Sequence, residues 1–299
     1  MKLVERGYGR PRVAIIGGIH GDEPAGKEVV ERLIHTLEID GTGTAQLVVA
    51  NERALAIGER YTETDLNRAF PGDPDSDQYE DVLATRLRDI IEGADAVLAL
   101  HTSHSAPPPF AIYSDLTESI RRTVTGLPVQ YVVDSGNLRG TTMDSVVQHT
   151  VSVELGRQWS EDAVAFGHDA STAFLRAHGL FEDREPEFSA KRVVSGFQEV
   201  PKGGGEPHVY YSNFEEIPEG EVFARDDVYT HRVEEEGVLP ILASDRGYEA
   251  ISGTYGRFGG RIRPPTTGYR PAEPTGMFRP PGRQNGPRWR KSTREPSPD

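Results

Sequence analysis

The stretch RVAIIGGIHGDEP, residues 12–24, decides the fold. Its apolar first half, with Val13 to Ile16 in a row, predicts a buried strand, and Pro24 suits the first turn of a following helix. His20 and Glu23 therefore lie on a loop at the carboxyl end of a strand, where open α/β sheets bind their ligands. An imidazole and a carboxylate three residues apart can close on one metal ion.

A second apolar run ends in the histidine-containing sequence LHTSH, residues 100–104. His101 lies where the predicted strand ends, so it is the better candidate for a third ligand. Three protein ligands would leave a fourth position open, as catalytic zinc requires. His104 lies further into the loop and is more typical of a capping or solvated histidine.

Two polar clusters follow predicted core segments. NERAL, residues 51–55, comes directly after a strand-like run, and DLNRAFPG, residues 65–72, lies between apolar anchors. Arginines on loops are ordinarily solvated surface charge. An arginine beside an asparagine after a core strand suits the recognition of an oxyanion or a carboxylate better.

The run VSVELG, residues 151–156, alternates between two faces. Ser152 and Glu154 share the face opposite the apolar residues. A glutamate on a central strand is costly to bury unless its charge is needed. An edge strand with Glu154 in water fits this segment equally well.

Taken in order, five motifs resemble the succinylglutamate desuccinylase and aspartoacylase family, a branch of the zinc carboxypeptidase fold. They are GGIHGDE, NERA, DLNRAFPG, LHTS and VELG, and the likeness covers about residues 12–156 with a weaker echo to about 252. It implies an α/β fold, a mixed sheet with helices on both faces. It also implies a zinc-dependent deacylase that cleaves the amide bond of a small N-acylated amino acid or related compound.

The resemblance implies a metal centre and a base. His20, Glu23 and His101 match the ligands of one Zn²⁺ per chain. Glu154 matches the general base that activates water and then passes the proton to the leaving amine. The three side chains by themselves would suit several divalent ions. The choice of zinc is what the resemblance implies.

The resemblance also implies the groups that hold the substrate. Arg53 matches the electrophile that stabilises the oxyanion, and Asn67 and Arg68 match a clamp on a substrate carboxylate. In aspartoacylases a further arginine follows a Thr-Thr pair, but here Met143 stands in that place, with Arg139 nearby. The sequence therefore leaves the acyl group and the amine of the substrate open.

The composition predicts a globular enzyme from a salt-rich cytoplasm. The 299 residues carry a net charge of −14 and no cysteine, which excludes disulfides and thiolate chemistry. An acidic body argues against nucleic acid as a general partner, and scarce lysine favours a halophilic source.

No secretory signal or apolar run of 18 residues is present, so we expect a cytoplasmic enzyme without membrane contact. The oligomeric state stays open. Lysine occurs only at Lys2, Lys27, Lys191, Lys202 and Lys291.

The distribution of residue types along the chain predicts three parts. Residues 1–187 alternate strands and helices and form the zinc-hydrolase catalytic domain. Residues 188–263 hold short strand-like runs between glycines and form a small C-terminal β domain. Residues 264–299 hold nine prolines and seven basic residues and are predicted to be disordered. This tail is either functional, for example in binding RNA or an acidic partner, or the product of out-of-frame translation.

Two other functions compete with a deacylase. A metallocarboxypeptidase would use the same metal and base on peptides but would need an open cleft. A non-catalytic module that binds a metal or a ligand would need neither Glu154 nor Arg53, so the presence of both residues weighs against it.

Overall fold

A computed structural model describes residues 1–105, 108–138, 140–182, 185–245 and 250–266. Within those residues, one ten-stranded mixed sheet has the order β1-β3-β2-β4-β7-β5-β6-β8-β13-β12, and a three-stranded sheet has the order β11-β10-β9. The strands are β1 (Lys2–Tyr8), β2 (Arg12–Gly17), β3 (Gly43–Val49), β4 (Ala96–Ser103), β5 (Phe110–Tyr113), β6 (Tyr131–Asp134), β7 (Thr150–Arg157), β8 (Lys191–Pro201), β9 (His208–Val209), β10 (Val222–Arg225), β11 (Thr230–Arg232), β12 (Leu239–Ile241) and β13 (Ile251–Ile262). The helices are α1 (Pro24–Thr36), α2 (Glu52–Ile57), α3 (Tyr79–Ile91), α4 (Glu118–Gly126), α5 (Met143–Val146) and α6 (Glu161–Ala177), and Leu66–Arg68 form one 3-10 turn.

The centre of the large sheet is parallel. Strands β3, β2, β4 and β7 run in one direction, while β5 pairs antiparallel with β7. The carboxyl ends of the four parallel strands therefore meet at one edge of the sheet. Because β7 lies between β4 and β5, the alternative of an edge strand for Glu154 is wrong.

Helices cover both faces of this sheet, as the sequence predicts. Side chains alternate along each strand, so Leu98 and Leu100 pack towards α1, α4 and α6, whereas Val97 and Ala99 pack towards α3 and α5. The central strands are buried throughout, which explains their nearly continuous apolar runs.

The sequence pattern predicts helices over about residues 24–37, 78–92, 117–125 and 160–178, and the observed α1, α3, α4 and α6 differ from these by one or two residues at their ends. Pro24 occupies the start of α1 as expected. The sequence also predicts that the Ser160 side chain caps the last of these helices, but Ser160 precedes α6 without a capping hydrogen bond from its side chain, so this role is wrong. Strand β1 was not foreseen, because it pairs with β3 at the sheet edge and has mostly exposed side chains. None of the helices in the described residues is long and apolar enough to cross a membrane.

Strands from both sides of residue 188 share the large sheet. Strand β8 pairs with β6, and β13 pairs with β8, so both continue the sheet that begins in the predicted catalytic domain. The smaller sheet of β9, β10 and β11 is separate. The division at residue 188 stays a prediction. The predicted tail lies outside the described residues from residue 267 onward.

Candidate active site

The loop between β2 and α1 places His20 and Glu23 side by side in the interior, where they are 1% and 3% exposed. Gly21 is required here by close approach: a Cβ atom would lie 2.1 Å from the backbone of Ala54 in α2. Glu23 occupies the position before the first turn of α1, but its side chain does not cap that helix. The carboxylate is instead directed at the two histidines.

The three predicted metal ligands converge. Nδ1 of His20 lies 2.7 Å from Oε1 of Glu23, and Nδ1 of His101 lies 3.1 Å from Oε2 of the same carboxylate. All three residues are buried, and one ligand atom from each lies within 4.8 Å of the others. Two imidazole nitrogens and a carboxylate are a donor set that suits zinc. This group could therefore hold a metal ion.

The charges in this group stabilise one another. Burial alone would lower the pKa of His20, but the negative charge of Glu23 and the contact with Asp65 outweigh burial and raise it. Burial likewise favours a neutral Glu23, yet His20 and His101 hold the pKa of that carboxyl well below its usual range. The anionic carboxylate is the form that binds a cation.

Asp65 supports the group from behind. Its Oδ1 atom lies 3.1 Å from Nε2 of His20 and accepts a hydrogen bond from the backbone N–H of Asn67 at 2.8 Å. From the sequence, an aspartate before a turn could either orient a liganding imidazole or cap backbone amides, and Asp65 makes both contacts. A carboxylate on the outer nitrogen of a histidine fixes the orientation of the ring.

Arg60 is a residue of this site that the sequence interpretation missed. Its Nε donates to Oδ2 of Asp65 at 3.0 Å, and its Nη1 donates to Oε1 of Glu23 at 3.4 Å. Arg53, which was assigned the electrophilic role, is exposed, and its guanidinium lies 4.0 Å above the ring of Tyr79. The only sequence signal for Arg60 is its place five residues before Asp65, in a loop rich in charged residues.

Glu80 fixes the loop that carries Arg60. Its buried carboxylate accepts hydrogen bonds from Nδ2 of Asn51 at 3.1 Å and from the backbone N–H groups of Thr62, Glu63 and Thr64 at 2.7, 3.1 and 3.3 Å. Burial would raise the pKa of Glu80, but these donors lower it. In the sequence Glu80 looks like an ordinary acidic residue in the first turn of a helix.

The two predicted clamp residues differ in environment. Asn67 is buried, and its Oδ1 accepts a hydrogen bond from the backbone N–H of Met143 at 2.9 Å, which joins the 3-10 turn to α5. Arg68 is exposed, and its Nη1 donates to the carbonyl of Asn67 at 2.9 Å. Arg139 lies outside the described residues.

Glu154 enters the site through the register of the sheet. It is 5% exposed and is the partner of His101 across the parallel pair β4 and β7. Register partners point to the same face, so Glu154 lies on the face of the third ligand. His104 is not a member of the three-residue group and lines a separate cavity with Arg157.

The model of the succinylglutamate desuccinylase/aspartoacylase catalytic domain matches residues 9–177. The chain belongs to this family. It is 29% identical over 199 residues to the N-alpha-acetyl-L-2,4-diaminobutyric acid deacetylase of Halomonas elongata, covering 60% of this chain and 58% of that one. It is 26% identical over 263 residues to the succinylglutamate desuccinylase of Pseudomonas fluorescens, covering 77% of each chain.

Solved structures show the same fold. A succinylglutamate desuccinylase/aspartoacylase crystal structure from Rhodobacter sphaeroides aligns with a TM-score of 0.69 at 20% identity. The alignment covers 86% of this chain and 89% of that chain. The predicted family and the predicted α/β fold with helices on both faces are therefore confirmed.

Proposed function

We propose that this chain is a zinc-dependent deacylase that hydrolyses the amide bond of a small N-acyl amino acid. The observation that carries the proposal is the convergence of His20, Glu23 and His101 beside the register partner Glu154. The names of two relatives support it, because one removes an acetyl group from diaminobutyrate and the other a succinyl group from glutamate.

His20, Glu23 and His101 would hold the zinc ion in this proposal. A zinc ion there would lower the pKa of a coordinated water from about 16 to about 7 and would polarise the amide carbonyl. Asp65 fixes the orientation of the His20 ring, and Arg60 places a positive charge against Glu23 and Asp65. The protein therefore presents a rigid set of ligands.

Glu154 is the proposed general base. Its carboxylate takes a proton from the attacking water and returns it to the nitrogen of the leaving amine, which would otherwise leave as an unstable anion. Such proton transfer contributes typically about 10²- to 10⁴-fold to the rate. Burial on a central strand keeps bulk water away from this carboxylate.

We assign the oxyanion role to Arg60 in place of Arg53. Arg60 touches the ligand group directly, whereas the contact of Arg53 is with Tyr79. A cation that faces a developing oxyanion stabilises it in a site of low dielectric constant. Arg68 is the proposed contact for a substrate carboxylate, and Asn67 positions it by joining the 3-10 turn to α5.

The test is an assay of amine release from N-acetyl and N-succinyl amino acids, beside short peptides. We expect hydrolysis of the acylated amino acids, loss of activity after EDTA treatment, and recovery with Zn²⁺. Release of carboxy-terminal residues from peptides would indicate a carboxypeptidase instead. A metal-loaded wild-type protein that hydrolyses none of these compounds would indicate a non-catalytic binding module. A cytoplasmic location and a halophilic source stay predictions.

A further inference from the structure

A polar cavity with a volume of about 670 Å³ lies where α4, α6 and the start of β8 meet. Ligand sites in proteins commonly have volumes in this range. Helix α6 supplies one wall, because its residues 169, 172, 173 and 176 follow helical spacing and share one face. The end of α4, the loop before β6 and the segment before β8 supply the rest. The cavity is therefore large enough for a small organic molecule.

This cavity is separate from the candidate active site. Lys191, which lines it, lies two residues before Val193 on β8, so it shares the face of the sheet that α1, α4 and α6 cover. Glu154 is the register partner of Phe110, which packs in a different cluster on the other face. Strands β5 and β6 also lie between β7 and β8. A small ligand in the cavity would therefore not touch the proposed base.

Lys191 places a buried positive charge in the wall of the cavity. The residue is 3% exposed, and its Nζ atom donates to the carbonyl oxygen of Leu127 at 2.6 Å and to Oγ of Ser189 at 2.7 Å. An ammonium group has three donors, so one N–H stays available to a ligand. Burial lowers the pKa of Lys191 to about 8, because both acceptors are neutral and no carboxylate of the described residues offsets the loss of hydration. A bound anion would supply a negative charge that stabilises the ammonium.

Arg176 adds a second cation to the same cavity. Its Nε–H is buried and has no hydrogen-bond partner among the described residues. Buried donors are nearly always paired in folded proteins, so this N–H can serve an acceptor inside the cavity. Asp169 and Glu187 also line the cavity, but both are exposed, and within the described ranges neither forms an ion pair with the two cations. The two cations therefore line the cavity without a carboxylate to balance them.

We propose that this cavity is a second ligand site, in which Lys191 and Arg176 bind the carboxylate of a small organic acid. The planar guanidinium of an arginine matches a carboxylate, whose two oxygens accept parallel hydrogen bonds. The exposed carboxylates of Asp169 and Glu187 repel a doubly charged anion such as phosphate more strongly than a singly charged one. This arrangement therefore favours a carboxylate over a phosphate.

The apolar part of the lining indicates what the rest of the ligand is. Leu127 and Val129 are buried residues of the core under α4 and α6, and both line the cavity. Phe188 also lines it, and the guanidinium of Arg122 lies 5.2 Å from the centre of its ring. A ring or a branched chain can pack against these side chains, so the ligand is an aromatic or branched carboxylate. The inference goes beyond the proposed deacylase function and does not depend on it.

Titration of the full-length protein with benzoate, followed by NMR chemical shifts, tests the site. Benzamide, the neutral counterpart, and inorganic phosphate are the comparison ligands. We expect benzoate to bind more tightly than either and to raise the unfolding temperature. Lys191→Met should weaken the binding of benzoate by about 10- to 100-fold, and Arg176→Gln should also weaken it. The matched control is Lys27→Met, which changes a lysine of α1 with a 42% exposed side chain and should bind benzoate like the wild-type protein.

The comparison ligands and one further variant show which result would overturn the inference. Equal binding of benzoate and benzamide would mean that the two cations take no part. Tighter binding of phosphate would overturn the assignment of a carboxylate. Benzoate at the proposed metal centre would respond to Arg68→Gln and not to Lys191→Met, and that outcome would overturn the second site while leaving the deacylase proposal intact.

The pH dependence of binding gives a measurement that needs no variant. Because the pKa of Lys191 is about 8, its charged fraction falls about tenfold between pH 7 and pH 9, and the affinity for benzoate should fall by about the same factor. The other charged side chains around the cavity are those of Arg122, Asp169, Arg176 and Glu187. Carboxylates and guanidinium groups keep their charge over this range. A constant affinity between pH 7 and pH 9 would overturn the role of Lys191.

Discussion

His101 and Glu154 are register partners on the parallel strands β4 and β7. Neighbouring strands lie about 4.8 Å apart, so this pairing sets the third proposed ligand and the proposed base next to each other on one face. Both side chains are buried, at 4% and 5% exposure. Because the two residues lie on different strands, either side chain can be replaced without altering the strand that carries the other. Metal binding and proton transfer can therefore be separated by mutation.

Replacing Glu154 by glutamine should remove the base and keep the metal. We expect kcat to fall by about 10²- to 10⁴-fold, because an amide cannot take the proton of the attacking water. Zinc content, measured by mass spectrometry of the metal, should stay at one ion per chain. Glu199→Gln, which changes an exposed glutamate on β8, is the control and should keep full activity. A normal turnover in Glu154→Gln would rule out the assigned role.

His101 and His104 offer a matched pair for testing the metal centre. His101 belongs to the ligand group, whereas His104 lines the neighbouring cavity. His101→Ala should lose zinc and activity, and added zinc should raise its unfolding temperature far less than that of the wild-type protein, because ligand binding stabilises the folded state. His104→Ala should keep its zinc. The reverse result would mean that the third ligand has been misassigned.

The sequence predicted the parts of the site that strands deliver. His20 and His101 each follow or end an apolar run, and Glu154 lies on an alternating strand; the order of these strands in the sheet brings the three side chains together. Arg60 and Glu80 could not be found this way, because their role depends on how one loop folds over another. A charged side chain in a loop or a first helical turn has no sequence signature that separates a buried contact from a solvated one.

The same limit applies to the β-bulge between Glu154 and Arg157 on β7, where the register pairs Arg157 with Ser103 of β4. Alternation along VELGR places Arg157 on the face opposite Glu154, and only the observed register reverses that expectation. Strand β1 was missed for a related reason, since an edge strand with exposed side chains lacks the apolar run that marks a core strand.

Arg60 and Arg53 can be compared directly. Arg60→Ala should lower kcat by about 10²- to 10³-fold, the usual cost of removing one group that stabilises an oxyanion. Arg53→Ala should change kcat little, because its guanidinium stacks on Tyr79. Zinc content must be measured for both variants, since Arg60 also contacts Glu23. A large loss of kcat confined to Arg53→Ala would return the electrophilic role to that residue.

His178 should make the folded state sensitive to acid. It is buried beside Phe174 and Thr123, and burial, with Arg122 nearby, lowers the pKa of its ring to about 3. In the unfolded chain the imidazole has its ordinary pKa of 6.5. The contribution of neutral His178 to the free energy of unfolding is therefore fully present above pH 6.5 and is lost as the pH drops towards 3. The slope should be about 1.4 kcal/mol per pH unit for this one proton.

Urea unfolding at pH 7 and pH 5 measures this effect. His178→Gln keeps a side chain that can bond to Thr123 but removes the titration, so its free energy of unfolding should change less between the two pH values. The half-buried His168 on α6 is the control, and His168→Gln should behave like the wild-type protein. Equal pH dependence in all three proteins would remove His178 as the cause.

Salt should stabilise the folded chain. A net charge of −14 repels itself in the compact state, and the Debye length falls from about 10 Å at 0.1 M salt to about 3 Å at 1 M. We expect the unfolding temperature to rise steeply between 0.1 M and 1 M KCl and to continue more slowly beyond that range. Potassium sulfate at matched ionic strength should give a similar first rise, because screening depends on ionic strength. Full stability and full activity at 0.1 M KCl would contradict a halophilic origin, because the acidic chain would then fold and work without high salt.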